Sequence, residues 1–122
     1  MGGLKDDNME CIFCKIVEGI IPADIVYEDE EIICFRDLNP QAPIHVLIIP
    51  KEHITSLDDV NGSEGHRALL GHLIAKVREI AALLELANGY RLVSNCGADG
   101  LQTVEHLHFH LLGGRRMEWP PG

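Results

Sequence analysis

Apolar residues punctuate this chain in two rhythms. Ile12, Phe13, Ile16 and Val17 recur at helical spacing ahead of Gly19, which predicts a short amphipathic helix that Pro22 cannot extend. Ile25-Val26-Tyr27 and Glu31 to Phe35 are β-rich runs joined by the acidic turn Glu28-Asp29-Glu30, the pattern of an antiparallel hairpin. After the loop Asn39 to Pro43, the run His45 to Ile49 reads as an apolar strand ended by Pro50. Leu69, Leu70, Leu73, Ile74, Val77, Ile80, Ala81 and Leu84 form a broad stripe on one long helix, capped by Ser63 or Asn61 and closed by Gly89. Tyr90 to Ser94 predicts another strand, Asn95 to Gly100 a turn-rich loop, and residues 104–112 a last strand. The fold class expected is α+β, an antiparallel sheet with one long and one short N-terminal helix.

The last strand carries the chemistry. In His106-Leu107-His108-Phe109-His110, a step of two residues turns a side chain about halfway round a helix but returns it to the same face of a strand. The three imidazoles therefore share one face, while Leu107, Phe109 and Leu111 point together into a core.

Length and composition narrow the rest. A chain of 122 residues fits one domain, read here as 11–122 with an extended tail over 113–122 and a flexible terminus over 1–10. Its formal charge of -9 opposes loose association with nucleic acid or anionic lipid, so an anionic ligand must be held by local donors. The apolar runs fall short of the roughly 20 residues of a membrane span, and the start lacks an apolar signal core; a cytoplasmic protein is expected. Four cysteines in such a chain point to free or metal-bound thiols, with Cys34 packed in the core. His66 and His72, on the long helix, read as solvated surface.

Three readings of the histidines follow: a wetted polar face, an all-histidine metal site, or nucleophilic catalysis. Alternate residues lie roughly 6.6 Å apart along a strand, so three of them converge poorly on one ion. A neutral imidazole attacks phosphorus without a base and forms a phosphoramidate that water can cleave.

His106 to Leu112, with Phe35 to Pro43, His45 to His53, Asn95 to Gly97, Gln102 to Val104 and the ending Gly113-Gly114-Arg115 to Gly122, resembles the signature of the histidine triad superfamily, in its nucleotide-binding branch. The resemblance implies a homodimeric purine nucleoside phosphoramidase that releases AMP or GMP through a nucleotidyl-histidine. Two alternatives stand beside it: a dinucleoside polyphosphate hydrolase, and a nucleotide-binding interaction protein without turnover. It implies a purine nucleoside monophosphate or phosphoramidate as ligand, no nucleic acid, no membrane and no organic cofactor.

By the same resemblance His108 is the nucleophile, His110 contacts phosphoryl oxygens, Thr103 donates to an oxygen or the leaving amine, and His45 supports the triad. Asn95 and the amides of Leu101, Gln102 and Thr103 are expected to place the phosphate. Asp37 is expected to take the ribose hydroxyls, while Ile12, Phe13, Ile16, Phe35 and Leu38 enclose the base. Cys11 and Cys14, with His53 and His106, resemble a closed structural zinc site; the alternative is two packed, inert thiols. Trp119 is expected to reach toward a partner's cleft or to cover its own subunit. Two positions depart from the pattern: Glu105 stands where an apolar residue is usual, and Leu101 replaces a glycine beside the phosphate.

Overall fold

The structure, a computed structural model, describes residues 10–122; the expected flexible terminus falls almost wholly outside them. Helix α1 (Ile12–Val17) is followed by strands β1 (Ile25–Glu28), β2 (Ile32–Arg36) and β3 (Ile44–Pro50). A 3-10 turn (Leu57–Asp59), helix α2 (Glu64–Leu83) and strands β4 (Tyr90–Val93) and β5 (Phe109–Gly113) complete the order. The strands form one sheet, β1-β2-β3-β5-β4, antiparallel throughout. This is the expected α+β arrangement.

Both faces of the sheet's centre are covered, which is why β2 and β3 read as unbroken apolar runs. On one face, Ile32, Cys34, Val46, Ile48, Leu107, Phe109 and Leu111 pack against Leu69, Leu73, Val77, Ile80 and Ala81 of α2. On the other, Ile33, Phe35, Leu47 and Ile49 pack against Phe13 and Ile16 of α1. Each wholly buried aliphatic side chain contributes about 1.5–3 kcal/mol of transfer free energy, so this double layer is what fixes the sheet. Cys34 lies in the core, and burial pushes its thiol up to about 12.

Helix α2 begins as expected, with Ser63 Oγ accepting the N–H of His66. Its other end differs from expectation. The chain leaves the helix at Glu85, in the left-handed region at φ 59°, where Glu85 N–H bonds Ala82 O and Leu86 N–H bonds Ala81 O. These are the paired bonds of a Schellman cap, with Leu86 folded into the core as its apolar anchor. Gly89, at φ 108°, instead makes the turn into β4. Tertiary burial of Leu86 overrode the preference for glycine.

The histidine strand is also shorter than expected. Continuing the β3–β5 register (Ile48↔Phe109) would set Leu107 opposite Pro50, which has no N–H to give the ladder. Leu107 N–H turns to Ile54 O instead, and regular pairing begins at Phe109. The alternation survives this break: Leu107, Phe109 and Leu111 all enter the core under α2. Glu105 is exposed ahead of the strand, off the apolar face.

His66 and His72 are not free surface groups. His72 Nε2 lies 2.7 Å from Asp29 Oδ2, tying α2 to the β1–β2 turn, and His66 Nδ1 accepts the N–H of Asn61 at 2.9 Å. Among the described residues, no helix is long and apolar enough to cross a membrane.

Candidate active site and metal centre

The imidazole face of β5 and the α1 side of the sheet together wall a cleft of about 250 Å³. His108 lines it and is nearly buried. Its Nδ1 lies 2.7 Å from the carbonyl oxygen of His106, an arrangement that requires the proton on Nδ1 and leaves the Nε2 lone pair free. Phe13 meets the His108 ring edge-on at 5.2 Å between centroids, and Ser94 Oγ donates to the His108 carbonyl at 3.1 Å. Ring rotation and backbone position are thereby both restrained.

A chain of donors sets the next ring. The backbone N–H of Gln41 donates to His45 Nδ1 at 3.0 Å, so the His45 proton lies on Nε2, 2.9 Å from His110 Nδ1. With Nδ1 accepting, His110 carries its proton on Nε2, the nitrogen left for a ligand. Burial, with His108 and His45 nearby, holds the His110 ring down at about 4, against 6.5 for an ordinary imidazole. The ring is therefore a neutral donor. Burial also lowers His45, opposed by Asp37, whose Oδ2 is 3.5 Å from His45 Nε2.

Of the residues expected to bind nucleotide, Ile12, Phe13, Ile16, Phe35, Asp37, Leu38, Thr103, His108 and His110 line this cleft. Asn95, Leu101 and Gln102 do not. Asn95 Nδ2 donates to Gly100 O at 2.6 Å, and the N–H groups of Leu101 and Gln102 are bonded to Ala98 O and Gly97 O. The Gln102 side chain accepts from Gly97 N–H and donates to Thr55 O and Val104 O, clamping the loop to the segment after β3. Leu101 is 75% exposed and stands at φ 60°, a conformation that favours glycine.

Sequence reasoning missed Ile21, Pro22, Ala23, Asp24, Arg36, Leu47 and Val104, which also line the cleft. Leu47 was legible, since alternation on β3 puts it on the face of His45. The 21–24 segment carries no such signal, because only the tertiary fold brings a loop ahead of β1 under α1.

Beside the cleft a second cluster forms. Cys11 caps α1, its Sγ accepting the N–H of Cys14, so the C-x-x-C spacing turns both sulfurs the same way. His106 Nδ1 lies 3.3 Å from Cys11 Sγ and 3.6 Å from Cys14 Sγ, and His53 Nδ1 lies 3.2 Å from Cys14 Sγ. A tetrahedral ion with bonds of about 2.3 Å to sulfur and 2.0 Å to nitrogen sets S···N edges of roughly 3.5 Å, so the four donors fit one. His106 Nε2 donates to Pro50 O at 2.8 Å, which frees Nδ1 for such an ion and fixes the ring. Burial pushes the Cys14 thiol up to about 12 when no cation faces it.

The model of the HIT domain matches residues 18–117, most of the chain. The chain belongs to the HIT domain family. This HIT chain is 55% identical over 113 residues to an uncharacterized HIT-like protein of Synechococcus elongatus, covering 93% of the chain and 97% of that protein. It is 48% identical over 118 residues to the 14 kDa zinc-binding protein of Zea mays, with 95% and 91% covered. The crystal structure of a HIT family hydrolase from Legionella pneumophila superposes with a TM-score of 0.88 at 50% identity, covering 93% of this HIT chain and all (100%) of that one.

Proposed function

We propose that this HIT protein is a purine nucleotide-binding hydrolase that splits nucleoside 5′-phosphoramidates at the P–N bond and releases AMP or GMP. One observation carries the reading: the 2.7 Å bond from His108 Nδ1 to the His106 carbonyl, which commits Nδ1 as the donor so that the neutral ring keeps its lone pair on Nε2. That lone pair attacks phosphorus. The substrate P–N bond breaks with its electron pair going to nitrogen, which leaves as an amine after taking a proton from solvent water and leaving hydroxide, while the neutral His110 ring donates its Nε2–H as a hydrogen bond to a phosphoryl oxygen. Water then attacks phosphorus, the bond to His108 breaks with its electron pair returning to Nε2, and the proton shed by that water neutralises the hydroxide left by the first step.

Asp37 offers an acceptor-only carboxylate to the ribose hydroxyls, and Ile12, Phe13, Ile16, Phe35 and Leu38 supply apolar walls for the base. The Thr103 hydroxyl, at the cleft wall, serves the phosphoryl group or the leaving amine.

In the same reading Cys11, Cys14, His53 and His106 hold zinc. A closed four-ligand set supplies folding stability and leaves no open position for substrate, so its contribution is to position His106. The 0% exposure of His106 and the name of the maize relative support this assignment. The active form is read as a cytoplasmic homodimer comprising one domain over 11–122. The 82% exposed Trp119 on the tail supports the dimer by offering an uncovered aromatic surface.

The test is turnover on adenosine and guanosine 5′-phosphoramidates, with diadenosine polyphosphate alongside. The expected result is amine release from the phosphoramidates, faster than cleavage of the P–O–P bridge and abolished in His108→Ala. Unchanged turnover in that variant removes the nucleophile, and tight AMP binding without turnover by the parent protein leaves a binding protein only. Sedimentation of the purified chain reads the dimer directly.

A further inference from the structure

Cys11 and Cys14 belong to a single turn of α1. Cys11 caps the helix, Cys14 lies in its first turn, and the Cys14 N–H donates to Cys11 Sγ at 3.3 Å, so both thiols stand on one side of that turn. Three residues along a helix set Cα atoms about 5 Å apart, inside the roughly 4.4–6.8 Å that a disulfide spans. The two sulfurs lie within 4.8 Å of each other. Cys11 is half-buried and open to a small reagent, whereas Cys14 is buried. Cys34, in the core under α2, and Cys96, in the loop after β4, belong to other parts of the fold.

The same sulfurs serve the first histidine. His106 Nε2 donates to Pro50 O, so Nδ1 is the acceptor of that ring, and the Cys11 thiol at 3.3 Å is its nearest donor, with Cys14 at 3.6 Å. His106 is wholly buried, so water does not replace a donor lost there. Helix α1 has six residues, too few to hold itself by helix propensity, and between the sulfurs it carries Ile12 and Phe13. Phe13 lines the cleft and meets the His106 and His108 rings edge-on, at 5.9 and 5.2 Å between centroids.

The geometry points to Cys11 and Cys14 as a reversible dithiol–disulfide pair, oxidised by a peroxide, that ties nucleotide affinity to redox state. The coupling, though not the disulfide, rests on the cleft being a nucleotide site. Cys11 sulfur attacks one peroxide oxygen, and the O–O bond breaks with its electron pair leaving on the other oxygen as hydroxide, which gives a sulfenic acid. Cys14 sulfur then attacks Cys11 sulfur; the S–S bond forms and the S–O bond breaks, releasing a second hydroxide. The hydroxides take up the thiol protons, so two thiols and one hydrogen peroxide become one disulfide and two waters, with two electrons passing from sulfur to oxygen. A disulfide has no S–H to give. His106 Nδ1 is then a buried acceptor without a donor, the ring turns to find one, and Phe13, packed on it, shifts at the cleft wall. With zinc held as proposed, the sulfurs lost are two of its four ligands, and solvent supplies the protons.

The test treats the full chain, as purified, with hydrogen peroxide, then blocks free thiols and maps the cysteines by mass spectrometry. The expected result is a loss of two hydrogens, about 2 Da, on the peptide holding Cys11 and Cys14, reversed by dithiothreitol, kept in Cys96→Ser and absent in Cys14→Ser. Calorimetric titration with AMP reads the coupling: the oxidised protein should bind at least about fivefold more weakly than the reduced one, and recover on reduction. No disulfide between Cys11 and Cys14 in the parent protein, whether its cysteines stay reduced or stop at sulfur acids, overturns the pair. A disulfide that leaves AMP affinity within about twofold overturns the coupling. Failure of the reduced parent to bind AMP removes the nucleotide site and the coupling with it, while the mass result still decides the disulfide.

Discussion

Leu101 holds a backbone conformation that favours glycine, and Leu101→Gly is expected to stabilise the protein. An L-residue in the left-handed region costs about 1–2 kcal/mol, and the φ of 60° places Leu101 there. Glycine removes that cost but gains roughly 0.4–1 kcal/mol of freedom in the unfolded chain, leaving a net gain of about 0.5–1 kcal/mol. Little packing is lost, because the side chain is 75% exposed. Unfolding entropy of about 2.1 cal/mol/K per residue over 122 residues gives roughly 0.26 kcal/mol/K, so Tm should rise by about 2–4 °C. Glu85→Gly tests the same reasoning at the α2 cap, where φ is 59°, and the two gains should add because the sites share no partner. Gly100→Ala is the opposing control: a Cβ there would meet Cys96 backbone oxygen at 2.5 Å, and the loop must lose stability. The assay is thermal denaturation followed by circular dichroism at one protein concentration and pH. An unchanged or lower Tm for Leu101→Gly would show that the loop gains more from the side chain than it loses to conformation.

Further outcomes follow from the two clusters. Metal analysis of protein purified without added metal should give about one zinc per chain, lost in Cys14→Ser with a fall in Tm; a near-zero stoichiometry with no uptake on titration removes the site. Gln102→Ala breaks three hydrogen bonds and should cost about 2–3 kcal/mol in urea unfolding, while weakening AMP more than adenosine because Thr103 moves with the clamp. His110 is held at about 4 against 6.5 unfolded, so the unfolded chain binds the proton more readily. Its contribution to stability is whole above pH 6.5 and is lost as pH falls from there toward 4. His110→Gln should therefore flatten the acid side of a Tm-against-pH curve across that window, and an unaltered slope would refute the assignment.

Much of this was legible because period-two alternation and helical stripes report which face is buried. Leu107, Phe109 and Leu111 reached the core, the imidazoles took the other face, and Cys11, Cys14, His53 and His106 came together from segments far apart in the chain. What sequence patterns did not carry were decisions made by single backbone groups. The missing N–H of Pro50 shortened β5, the burial of Leu86 moved the end of α2, and loop carbonyls captured the Leu101 and Gln102 amides expected to face phosphate. Such choices depend on which donor lies within 3 Å of which acceptor, a quantity no periodicity encodes.

His106 joins the two clusters in a way its place in the triad does not announce. Its side chain faces Cys11 and Cys14 through Nδ1, its Nε2 is bonded to Pro50 O, and its carbonyl holds the Nδ1 proton of His108. The carbonyl would remain in any substitution, so the ring matters to His108 only by fixing where that carbonyl sits. The same constraint explains the order of burial along the segment. His106 is wholly enclosed, His108 nearly so, and His110 opens to the cleft, a gradation that matches the proposed roles of anchor, attacker and donor. A strand regular from residue 104 would have repeated one environment at every second position. The interruption at Pro50 is what lets the first histidine turn to the sulfurs while the other two keep the cleft.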